Sequence, residues 1–217
     1  MQIRSRRFLI VPFIILVCCA AVAADETSEK ALPAFGRDTV LVWKIHHLDY
    51  SADFVVRIAR FLPDRYLEWE NESTQGTVLM PGQDLEDAKA YINSSMFNSG
   101  SDTRGSRSTT LWLSRKIFRD LKANKKAKCQ INGTMGLFAY VGNDTLAVEV
   151  NRVSQILPVI KVMDDRKEER WFLDQEDNPL MLNHRVRKFS QTLISITTDR
   201  SNTLRWIKGK KLENPQR

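Results

Sequence analysis

Cysteine is nearly missing from this 217-residue chain: of three, Cys18 and Cys19 sit inside an N-terminal apolar run and only Cys129 lies beyond it. Once that run is removed no intramolecular disulfide can form, so an oxidising compartment adds no covalent staple to the fold. Cys129 stands in the strand-like stretch Lys128-Cys129-Gln130-Ile131, with no His or Asn signature beside it. It therefore reads as a small packing residue and not as a nucleophile. The motifs of common catalysis are missing too: there is no Gly-x-Ser-x-Gly elbow, no Walker loop, no dinucleotide fingerprint and no His-Glu-x-x-His. Asp102-Thr103-Arg104-Gly105 carries Arg where an aspartic protease needs Gly. Histidine is scarce, and the adjacent His46 and His47 point to opposite faces of a strand, which keeps them from sharing one metal ion. No catalytic residue, metal ligand or cofactor is assigned, and the chain is read as a non-enzyme.

What is present begins with an address. Arg4, Arg6 and Arg7 precede an apolar run from Phe8 to Val22, closed by small residues at Ala20, Ala21, Ala23 and Ala24. This is the layout of a cleaved signal peptide, residues 1–24. As a membrane helix, Phe8 to Ala24 would span about 25 Å at roughly 1.5 Å per residue, short for a hydrocarbon core. Val17 and Cys18 fit poorly the small residues that precede a lipidated cysteine. Cleavage leaves about 190 residues, a length that one domain with a substantial core can occupy. It also removes three arginines, so the formal charge of +7 drops to about +4, which gives no nucleic-acid signature. The expected location is periplasmic or secreted, with no membrane span after cleavage.

Residues 25–37 are polar and form a tether; residues 38–217 read as a single β-rich domain. Leu41, Trp43 and Ile45, then Phe54, Val56 and Ile58, then Leu67 and Trp69 recur at every second position, with turn formers between them. That period makes three strands of an antiparallel meander. Leu85, Ala88, Ile92 and Met96 return at three- and four-residue steps behind Asp84, predicting a capped helix over 84–98. Leu113, Ile117 and Leu121 predict a second over 110–123, its negative C-terminus complemented by Lys122 to Lys128. Gly100 to Ser108 reads as a mobile loop. Strands follow at 136–141, 145–150, 155–163, 169–174, 179–187 and 191–197, with Gly142-Asn143-Asp144 among the turns. The predicted architecture is α+β: a large curved antiparallel sheet, or a partly closed barrel, with two helices packed on one face.

Candidate function lies on the surface. Arg57, Arg185 and Arg187 fall opposite the apolar faces of their strands and Arg170 adjoins Trp171, so a basic stripe is expected over the exposed sheet. With Arg205 and Trp206 in the tail it would attract an anionic envelope component or a lipid headgroup. His184 reads as a hydrogen-bonded core residue. Asp164, Asp165, Asp174, Glu176 and Asp177 read as solvated turn residues, or alternatively as paired acids for hydrolysis of an envelope polymer. Asn71, Asn93, Asn132 and Asn143 open glycosylation triplets, which matter only in a host that modifies exported chains.

The segment Pro158-Val159-Ile160-Lys161-Val162, an acidic turn, Trp171-Phe172-Leu173-Asp174 and Asn178-Pro179-Leu180 resembles the closing hairpins of uncharacterised bacterial cell-envelope proteins. Their β-rich sheets look like the half-barrel of periplasmic lipoprotein carriers. Over about thirty residues the resemblance implies an envelope protein that holds an apolar, lipid-like ligand or a partner in a concave sheet; it carries over no catalytic residue. The expected function is therefore exported, non-enzymatic binding, with an envelope-polymer hydrolase or a structural subunit of an envelope assembly as the alternatives.

Overall fold

The computed structural model describes residues 32–93, 96–97 and 102–198. The proposed signal peptide, most of the tether, and Arg205 and Trp206 lie outside the described residues. The domain opens with the expected meander, β1 (Val40–His47), β2 (Tyr50–Arg60) and β3 (Arg65–Asn71), extended by β4 (Thr74–Met80). Period two does the sorting: Ala52, Phe54, Val56 and Ile58 of β2 are buried while their neighbours face out. β4 was illegible from composition because Thr74, Gln75, Gly76 and Thr77 lack apolar alternation; only Val78 and Met80 reach the core.

Next come α1 (Gly82–Asp87), the short strands β5 (Ala90–Tyr91), β6 (Asp102–Arg104) and β7 (Ser108–Thr109), and α2 (Arg115–Asn124). The helix expected over 84–98 thus has six residues, and Pro81 rather than Asp84 occupies its N-cap position. Beyond Ala88 the chain is drawn out to pair with a neighbouring strand, and Tyr91 is fully buried edge-on to Phe138 and Phe172, at 5.9 and 5.7 Å between ring centres. Tertiary packing of one large ring overrides the helical spacing. The second helix starts five residues late because Ser114 supplies the cap: its Oγ accepts the Ile117 amide at 3.2 Å and donates to the Ala88 carbonyl at 2.6 Å. Lys125 in the left-handed region ends it. Lys126 to Lys128, expected to extend that helix end, open β8 (Lys126–Ile131).

The second half is a run of antiparallel strands: β9 (Thr134–Val150), β10 (Val153–Asp164), β11 (Glu169–Leu173), β12 (Met181–Val186) and β13 (Phe189–Thr197). The expected turn at Gly142-Asn143-Asp144 is absorbed into the 17-residue β9, whose register against β10 shifts between Lys161 and Val162, leaving Val141 as the extra residue of a bulge. Likewise the loop expected over 100–108 is ordered from Asp102, where β6 pairs with β4.

The thirteen strands of the described residues form one sheet, in the order β6-β4-β3-β2-β1-β13-β12-β11-β10-β9-β8-β5-β7. The α+β architecture with a dominant, partly ringed sheet is as expected, but the sheet is mixed: β4–β6, β5–β7, β5–β8 and β9–β13 pair in parallel. The last of these curls it. Ser195 and Ile196 of β13 meet Glu149 and Val150 of β9, so five consecutive strands, β9 to β13, close on themselves. Asn151 fastens the seam by donating its amide to the Ile196 carbonyl at 2.9 Å. The two outermost strands, β6 and β7, are separated in the chain by Gly105, Ser106 and Arg107 alone, a span of about 14 Å at most. The inner side is filled: Trp43, Trp112, Phe138 and Phe172 are fully buried, each contributing about 1.5–3 kcal/mol. The two indole N–H groups donate to the Met181 carbonyl and the Asn178 Oδ1. No described helix is long and apolar enough to cross a membrane.

Candidate functional site

The arginines expected to form one exposed stripe are separated by the fold. Arg57 on β2 is engaged by Asp38 at 2.8 Å and by Glu68 at 2.9 Å from its Nε. Arg170 on β11 does not lie on the surface at all: it is 0% exposed, donates to Asp164 at 3.1 Å, to Glu168, and to Asn93 Oδ1 at 3.4 Å, and packs over Phe138. Register explains the error, since Arg170 pairs with His184 while the neighbouring Trp171 turns to the other face. Arg187 is exposed in the β12–β13 turn. Arg185 is exposed as expected and lies over the ring of Trp171, itself buried rather than on the surface, at 5.5 Å with Lys161 over it at 4.7 Å; that indole donates to Asp144 at 3.0 Å.

The acids are engaged singly by cations or amides. Asp164, expected in solvent, is buried; its Oδ1 accepts the amides of Arg166 and Glu168 at 2.9 and 3.0 Å, closing the β10–β11 turn. Asp174 pairs with Lys122 at 2.9 Å, Glu176 with Arg119 at 3.3 Å, and Asp177 with Arg115 at 3.1 Å. Asp165 accepts the Leu137 amide at 2.9 Å. No two of these carboxylates converge on an open cleft as a general acid and base would, so the hydrolase alternative gains no support. His184 is the expected core residue, with Nε2 3.1 Å from Glu168, and Cys129 is buried with its thiol pushed up to about 12, chiefly by burial. Among the described residues no three His, Cys, Asp or Glu side chains are placed to hold a metal ion.

A different arginine marks the candidate site. Arg65 opens β3, where alternation puts it on the inward face with Leu67 and Trp69. It is 3% exposed, and its guanidinium carbon lies over Phe61 at 4.8 Å and over Trp112 at 4.6 Å. Its protein hydrogen bond is weak and neutral: Nη2 donates to the Asp177 carbonyl at 3.3 Å. Nε is buried without an acceptor, and no described carboxylate forms an ion pair with it. Burial, reinforced by the nearby Arg115, pushes its pKa down to about 9, which leaves it cationic at neutral pH. A buried cation without a counter-ion is costly.

Arg65 lines a cleft of about 210 Å³ walled by Leu62, Pro63, Leu85, Leu113 and Pro179. Each wall has a local cause. Residues 111–113 run beside 179–181 through bonds from the Leu113 amide to the Pro179 carbonyl at 3.1 Å and from Met181 to Leu111 at 2.6 Å. Ser114 then caps α2 and sets Arg115 at the rim, where it holds Glu86 at 2.9 Å as well as Asp177. The Gly82 amide donates to Asp64 at 2.8 Å, and a Cβ there would stand 2.7 Å from the Pro63 carbonyl oxygen. Gly82→Ala is accordingly expected to destabilise the protein by about 1–3 kcal/mol, read as an earlier urea midpoint; a midpoint equal to wild type would mean that Pro63 and α1 do not meet as described. The sequence signal for Arg65 is a charge two residues before Leu67, at an inward position of a strand, masked by the turn-forming Leu62-Pro63-Asp64 directly before it.

Comparison with protein-family models, with curated proteins and with solved structures finds no match for this chain.

Proposed function

We propose that this is an exported, non-enzymatic cell-envelope protein that binds an anionic ligand or the anionic end of an envelope component in the Arg65 cleft. One observation carries the reading: a buried guanidinium without a carboxylate partner opens onto an apolar cleft, while the acids nearby are engaged by Arg115. Binding sites typically combine apolar walls with a few placed polar groups of this kind. The filled inner side of the sheet favours a surface cleft over carriage of a lipid inside the ring. Export follows from the basic start and apolar run of residues 1–24.

Native mass spectrometry of the protein isolated from its own envelope fraction tests this. Wild type is expected to retain a bound species that Arg65→Met loses. Retention by both, or by neither under gentle ionisation, would remove Arg65 from the binding role.

A further inference from the structure

We infer that the Arg65 cleft selects a carboxylate carried on a short apolar group, a conclusion that rests on the binding role just proposed and assigns its ligand class. Four observations narrow the chemistry. First, the cation is a planar guanidinium whose Nε lacks an acceptor and whose Nη2, the nitrogen beside it, holds only the Asp177 carbonyl at 3.3 Å; Nε and Nη2 are the pair through which a carboxylate makes two parallel hydrogen bonds. Second, a further buried donor in the same neighbourhood is unpartnered. Asn178 accepts the Trp112 indole N–H through Oδ1 at 2.7 Å, yet its own Nδ2 has no acceptor. Asn178 does not line the cleft, so the donor that asks for an anion there is Arg65.

Third, the rim carries Glu86 and Asp177, both held by Arg115. Their negative charges raise the cost of a dianion more than that of a monoanion, which disfavours phosphate. Fourth, the space is small and its walls are apolar. About 210 Å³ holds about seven waters at roughly 30 Å³ each, enough for one carboxylate on a short aliphatic group lying against Leu85, Leu113 and Pro179. A free aliphatic acid and the C-terminal residue of an apolar peptide both present this chemistry.

Titration calorimetry of the purified protein with hexanoate, hexanamide, acetyl-Leu-Leu, its C-terminal amide and inorganic phosphate tests the assignment. Hexanoate or acetyl-Leu-Leu is expected to saturate one site, with the matching amide about tenfold to a hundredfold weaker, as loss of a charge-assisted contact implies. Phosphate should not compete. Arg65→Lys, which keeps the charge and loses the fork, should weaken the acid at least about tenfold and so guards against Arg65→Met failing to fold. The tighter of the two acids identifies the source as a free aliphatic acid or a chain terminus. Equal binding of acid and amide, or full affinity in Arg65→Lys, would overturn the inference. Phosphate binding that requires Arg65, or an envelope-derived ligand lost in Arg65→Met while neither acid binds, would overturn the carboxylate class and leave the binding role standing.

Discussion

Replacing Arg170 with methionine is expected to cost about 3–5 kcal/mol of folding stability, the range for removing one partner of a buried ion pair. In a domain of this size that is a fall in melting temperature on the order of 10 °C. The cause is the charge left behind. Arg170 is fully buried and bonds both Asp164 and Glu168, and Asp164 at the same time closes the β10–β11 turn through two backbone amides. Methionine fills much of the volume beside Phe138 and Tyr91 but neutralises neither carboxylate. Adding Asp164→Asn and Glu168→Gln to the methionine variant should therefore restore part of the loss, because the uncompensated charges are gone. Chemical denaturation of the single and triple variants reads both effects. A single-variant loss below about 1 kcal/mol would mean that Arg170 is solvated, as an exposed arginine would be.

The same cluster makes stability depend on acid. Burial first, and then the positive charge of Arg170, lower the His184 pKa to about 3. Glu168 stands 3.1 Å from Nε2 but is already neutralised by Arg170, Asp164 opposes the shift, and the ring of Phe189 covers the remaining side at 5.5 Å. The unfolded chain takes up this proton near pH 6.5 and the folded protein does not. Stability is therefore fully present above the unfolded pKa and is lost as pH falls from about 6.5 toward 3, at about 1.4 kcal/mol per pH unit. His184→Gln keeps a hydrogen-bonding group beside Glu168 and does not titrate. The difference in unfolding free energy between wild type and His184→Gln should shrink by about 3 kcal/mol between pH 6 and pH 4. A difference that stays constant, or grows as the pH falls, would show that Glu168 holds the imidazole protonated in the folded state.

Much of the architecture was legible because alternation is a local signal. Leu41 and Trp43, Phe54 and Val56, and Leu67 and Trp69 all turn inward as their period requires. What failed was decided by distant contacts. Tyr91 left a helical pattern to fill space between Phe138 and Phe172, and β5, β6 and β7 exist only because neighbouring strands offer them open edges. Gly142 to Asp144 looked like a turn, yet the long β10 opposite kept the chain extended and converted the irregularity into a bulge. The candidate site was less legible. Arginines outside the apolar period look functional in the sequence, yet the fold buries Arg170 and pairs Arg57. Arg65, which sits within the period, is buried with no described acid paired to it. That imbalance depends on where Glu86, Asp177 and Arg115 converge, and these come from α1, the loop after β11 and α2, a meeting no single stretch of sequence displays.

The side-chain Nε–H of Arg65 reports on this imbalance directly. In a nitrogen–proton correlation spectrum of the labelled protein its signal, assigned by its loss in Arg65→Lys, should be resolved from the exposed arginines by burial against Phe61 and Trp112. On titration with hexanoate it should move further than any other arginine Nε–H, with saturation matching the calorimetric curve. An Arg65 signal that stays in place while hexanoate binds, or that coincides with the solvent-exposed arginines before any ligand is added, would contradict the assignment of this cleft as the functional site.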